Sequence, residues 1–122
     1  MFKQDYILRL VEELSQAVAR VLKKSSEQEF ESLEGEFDRA EQALGVLRGA
    51  ELLDAKSVAR LLGGDKCVLY VKILLARASL LEQRESPAQA GALRHRARDL
   101  LGHSRPEQLV ELKSDLLKEL GE

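Results

Sequence analysis

The chain has 122 residues, of which 44% are hydrophobic and 33% charged, and its net charge is −2. That length fits one domain with a real core, and the balance excludes a disordered polymer and a global basic field for nucleic acid. A single cysteine, Cys67, excludes an internal disulfide and fits a reducing compartment.

The first predicted helix runs from about Gln4 to Lys24, with Ile7, Val11, Leu14, Val18 and Val21 on one face. Charges throughout Met1 to Leu14 speak against a secretory leader. Ser26 and Glu29 form a capping-box pattern for a second helix, whose apolar rhythm is Phe30, Leu33, Phe37, Ala40, Leu44 and Leu47. Its face is acidic from Glu27 to Glu41. Gly35 and Gly45 weaken it slightly, and Gly49 ends the connection. A short third helix carries Leu52, Val58, Ala59 and Leu62, and Gly63-Gly64 stops it.

Asp65 is placed to cap the fourth helix, Lys66 to about Gln83. That helix is apolar on nearly every side, which assigns it to the centre of the packing or to an oligomer interface. Lys72 and Arg77 interrupt its apolar run, so it falls short of a membrane span. Ser86-Pro87 with Gln89 signals a fifth helix carrying Ala90, Leu93, Ala97, Leu100 and Leu101 and ending at Gly102. Ser104, Pro106 and Glu107 repeat the signal for a sixth, which buries Leu109, Leu112, Leu116 and Leu120. Short connectors imply antiparallel neighbours. The expected fold is therefore all-α: one domain over residues 1–122, an antiparallel stack of about six helices. A 57-residue offset aligns Arg39-Ala40 with Arg96-Ala97, Leu44-Gly45 with Leu101-Gly102 and Lys56-Ser57 with Lys113-Ser114, a weak sign of duplication.

The opening Phe2-Lys3-Gln4-Asp5-Tyr6-Ile7-Leu8-Arg9 resembles the start of a family of short bacterial proteins of unknown function. Its members open F-x-Q-D-Y-[IL]-[LM]-R and continue into an amphipathic helix and a tetratricopeptide-like helical hairpin. The stretch Leu44 to Leu62 is similar to the middle of that family, and little beyond Gln83 is. The resemblance implies a bacterial, cytoplasmic protein of helical-repeat character and supplies no activity. Gln4, Asp5, Tyr6 and Arg9 form a candidate partner-docking patch; the alternative is a cap from Asp5, with Tyr6 packed and Arg9 paired locally.

Catalytic chemistry finds no constellation. His95, Asp99 and His103 would line one helical face, but Gly102 is expected to end the helix before His103. The Glu-x-x-His pair of di-iron bundles does not occur in the sequence. Cys67 lies far in sequence from both histidines and reads as a packed thiol, with redox activity at a helix start as the alternative. No catalytic, cofactor-binding or metal-ligating residue is assigned. Between Lys72 and Arg105 basic residues outnumber acidic ones, and Arg94, Arg96 and Arg98 form a candidate basic patch. Those three spread over more than one helical face, so nucleic acid is the second-ranked partner, after protein. The expectation is a non-enzymatic interaction or structural module, self-associating as a homodimer. A nucleic-acid-associated regulator is the alternative, and an enzyme comes third.

Overall fold

Rods with one apolar face must bury it against one another, and a computed structural model shows these rods stacked as an all-α bundle. The structure describes residues 27–84 and 86–121, together with Asp5, Tyr6, Leu8, Arg9, Val11, Glu12, Glu13, Gln16 and Ala19. Those N-terminal residues are all helical, as expected, and Val11 is buried in the core. The rest of the first predicted helix, and Ser26 of the first capping box, lie outside the described residues.

Helix α1 (Glu27–Leu44) is the predicted second helix, and Leu33, Phe37, Ala40 and Leu44 make its buried stripe. It ends earlier than the apolar rhythm suggests. Gly45 takes a φ of +85°, while Gly45 N–H donates to the Gln42 carbonyl and Val46 N–H to that of Glu41, both at 3.0 Å. This pair of bonds is a Schellman stop, which only a left-handed residue allows. Leu47 consequently leaves the helix and is exposed.

A 3-10 turn, Ala50–Leu52, follows, and helix α2 spans only Ala55–Leu62. Leu52, predicted to be a core position of that helix, is 86% exposed. The cap explains the shift: the Asp54 carboxylate accepts from Ser57 N–H at 3.2 Å, so the helix starts after Asp54.

Helix α3 (Gly64–Gln83) is the apolar rod, and it occupies the centre. Cys67, Val68, Leu69, Val71, Ile73 and Ala78 are wholly buried, with Tyr70, Leu74, Leu75 and Leu80 nearly so. Helices α1, α2, α4 (Pro87–His103) and α5 (Val110–Glu119) all pack on it. The chain itself therefore covers its most apolar helix, and no second copy is required for that purpose.

Long-range contacts fix the directions. Cys67 near the start of α3 meets Leu100 near the end of α4, while Glu82 near the end of α3 meets Arg94, so the pair is antiparallel. Helix α1 also runs against α3: Glu34 meets Arg84, and Asp38 and Glu41 meet Arg77. The acidic face of α1 is thus matched by arginines at the α3 end of the bundle. Helix α5 runs back along α4, with Arg98 donating to the Leu120 carbonyl and Lys113 Nζ to that of Ser104. The offset pairs Ala40/Ala97 and Leu44/Leu101 are all buried, whereas Leu52 is exposed and its counterpart Leu109 half-buried.

Four expected start or stop signals act differently. Ser86 precedes α4 but makes no side-chain cap, and Pro87 at the first position spares one orphan donor instead. Gly102 stays helical, so α4 continues through His103. Ser104 does not start the last helix; its buried hydroxyl donates back to the Leu100 carbonyl at 2.7 Å. Asp65 does not cap α3. Its Oδ1 accepts from the backbone N–H groups of Glu107, Gln108 and Leu109 at 3.0, 3.0 and 3.1 Å, and so pins the turn that leads into α5 from the far side of the sequence. Gly64 allows that approach, because a Cβ there would overlap the Arg105 carbonyl and lie 2.8 Å from Pro106 N.

Candidate functional site

Helical spacing gathers a hollow between three helices. Asp38, Glu41 and Gln42 project from α1, Tyr70, Leu74 and Arg77 from α3, and Leu93 and Arg96 from α4. Each set follows steps of three and four, one helical face apiece. The 46–51 connection, with Val46, Leu47, Arg48 and Glu51, closes one side of a cleft of about 430 Å³. That is the size of a small-ligand or side-chain site.

Arg77 organises one wall. It lies 3.4 Å from Asp38 and 3.5 Å from Glu41, and its guanidinium sits 5.1 Å from the Phe37 ring centroid. Stacking on that ring lets a partly buried cation keep favourable contact. Its Nε is buried and finds no hydrogen-bond partner among the described residues. Burial pushes the Glu41 carboxyl above its ordinary range; Arg77 opposes this, and Asp38 and Glu51 add to it. Burial also raises the Tyr70 phenol, with Glu41 reinforcing and Arg96 and Arg77 opposing, so it stays protonated at neutral pH. Among the described residues the lining holds no histidine, cysteine, serine or threonine. The lining presents both signs of charge beside apolar side chains.

A second, shallow apolar dimple adjoins the first. It is lined by Gly45, Val46, Leu47, Ala50, Leu53, Val58, Leu61 and Leu62, and it shares Val46 and Leu47 with the cleft. Leu47, Leu53 and Leu61 are exposed around it, as is neighbouring Leu52.

The sequence-derived candidates fall elsewhere, except for one. Gln4 lies outside the described residues, while Asp5, Tyr6 and Arg9 are helical and exposed. Tyr6, at 67% exposure, does not pack against the core. Arg94, Arg96 and Arg98 go to three different acceptors. Arg94 forks onto Glu82 at 2.7 and 2.8 Å, and this holds the Glu82 carboxyl below its ordinary range. Arg96 donates to the Ala50 carbonyl at 3.1 Å, and Arg98 to that of Leu120 at 2.8 Å. Only Arg96 lines the cleft. The leucine patch was missed because Leu47 reads as a core position of the second predicted helix and Leu52 as one of the third.

With α4 running through His103, His95, Asp99 and His103 share a continuous helix after all, and His95 Nε2 lies 3.6 Å from Asp99. Among the described residues no group of three His, Cys, Asp or Glu side chains could hold a metal ion. Cys67 is wholly buried; burial raises its thiol pKa, and the thiol faces the Leu100 carbonyl at 3.9 Å. No helix among the described residues is long and apolar enough to cross a membrane. Compared with known proteins, the chain matches no family model, no curated protein and no solved structure.

Proposed function

We propose that the chain is a protein-interaction module that docks its partner on the leucine patch of the 47–61 segment, beside the charged cleft. One observation carries this reading. Four of the six large apolar side chains exposed among the described residues, Leu47, Leu52, Leu53 and Leu61, fall in that segment. Scattered exposed leucines are ordinary, but leucines gathered around one dimple mark an interaction surface. The cleft supplies a polar rim of the kind that surrounds an apolar interface centre. The resemblance of the opening octet to short bacterial proteins suits a cytoplasmic module of this type. Arg94, Arg96 and Arg98 serve as internal struts in this reading, which ranks a nucleic-acid partner below a protein one.

A photocrosslinking residue in place of Leu52, in cells of the native host, tests the proposal. The expected result is an adduct of one discrete mass, lost when Leu47→Ser and Leu61→Ser are added, and absent when the crosslinker replaces Gln89. Equal labelling from both positions, or none from Leu52, overturns it.

A further inference from the structure

We infer that the partner on this surface is a second copy of the chain, docked about a two-fold axis with the leucine patches face to face. The inference rests on the reading that the 47–61 segment docks a protein. A two-fold interface presents the same patch from both sides, so the patch must complement itself. Leucine matches leucine without further condition. Charge does so only if both signs sit on the rim.

Both signs are there. Arg48 and Glu51, three residues apart, lie between the exposed Leu47 and Leu52 in the chain and line the cleft beside the leucine patch. Each is exposed, and neither makes an ion pair among the described residues. About a two-fold axis, the Arg48 of each copy meets the Glu51 of the other, and both pairs form at once. The remaining charges of the cleft already have partners within the chain: Asp38 and Glu41 share Arg77, and Arg96 holds the Ala50 carbonyl.

The segment is also held in shape before it binds. Gly49 takes a φ of +81°, and the turn closes through Leu52 N–H to the Gly49 carbonyl and Leu53 N–H to that of Ala50, at 2.9 and 3.0 Å. Ala50 is buried, and Arg96 clamps its carbonyl from α4. Little ordering entropy is then lost on docking, which favours association through a modest surface. Among the described residues the other exposed large apolar side chains, Tyr6 and Val110, stand apart from this segment in the chain, and α3 is covered by its neighbours.

Sedimentation velocity of the full chain over a concentration series tests the inference, with circular dichroism confirming that each variant is folded. The chain should show a reversible monomer–dimer equilibrium. Leu52→Ser, at a position too exposed to matter for folding, removes two side chains per dimer and should weaken association on the order of ten- to a hundred-fold. Arg48→Glu and Glu51→Arg should each weaken it, and the doubly swapped chain should recover most of the loss. A chain monomeric at every concentration, a dimer indifferent to Leu52→Ser, or a double swap no better than the singles overturns the two-fold docking. If the chain is monomeric while the crosslinker at Leu52 yields a discrete adduct with another protein, only the two-fold inference fails. A monomer with no adduct overturns the docking surface itself.

Discussion

Asp65→Ala should loosen the last helix. In the native chain one carboxylate oxygen accepts from three consecutive backbone N–H groups, those of Glu107, Gln108 and Leu109. Helix α5 has no cap of its own, since Leu109 at its start has no accepting side chain. It also buries few side chains of its own, chiefly Leu116, with Leu120 just beyond its end. Hydrogen bonds to a charged acceptor contribute about 1.5–3 kcal/mol, and the partly buried Leu109 N–H is left seeking water. A total of about 2 kcal/mol follows, and at roughly 3–5 °C per kcal/mol for a chain of this size Tm should fall by 6–10 °C. Asp65→Asn keeps an acceptor oxygen in the same place and should lose less than half as much. Thermal unfolding followed by circular dichroism measures both variants. Hydrogen exchange should show lost protection over Val110–Glu119 in Asp65→Ala. If that variant melts within 1 °C of the parent, or if Asn is as harmful as Ala, the Asp65 anchor on the preceding turn is not what holds α5.

Two further predictions concern positions where the structure separates similar residues or opposing effects. Gly64→Ala forces a Cβ into the Arg105 backbone and should destabilise by about 1–3 kcal/mol, as overpacking does. Gly35→Ala meets nothing within 4 Å inside α1 and should stabilise by about 0.5–1 kcal/mol, so urea unfolding should move the two variants in opposite directions. For Glu41, whose carboxyl burial raises, the folded chain holds the proton more tightly than the unfolded chain. The group's contribution is therefore most favourable below the ordinary value of 4.5 and diminishes as pH rises through the raised one. Relative to the parent, Glu41→Gln should gain stability as pH climbs from about 4 to 7. A variant that loses ground over that range would show that the ion pair with Arg77 outweighs burial.

Much of the bundle was legible in the order of the residues. Steps of three and four placed Leu33, Phe37, Ala40 and Leu44 on the buried face of α1, and unbroken apolarity placed α3 at the centre. Both signals depend on how much apolar surface a rod carries, and that is a property of the chain alone. The start and stop signals fared worse. Ser86, Ser104 and Asp65 all carry cap-forming side chains, yet none caps the helix beside it: packing turns the Ser104 hydroxyl onto the Leu100 carbonyl and the Asp65 carboxylate onto a turn more than 40 residues away. Gly45 and Gly102 are alike in sequence, and only the turn after α1 needed a left-handed residue.

The candidate site was hidden for a related reason. Leu52 and Leu47 keep helical spacing with their neighbours, so periodicity assigned them to a core. The Schellman stop at Gly45 and the cap at Asp54 then left both outside a helix and in solvent. Arg96 could be seen as basic but not as the clamp on Ala50, since the two stand 46 residues apart. Sequence by itself determined which rods form and which of them is central, through local propensity and apolar period. Only the tertiary structure decided which polar groups meet and which leucines remain uncovered. Those outcomes depend on distances between segments that local spacing does not encode.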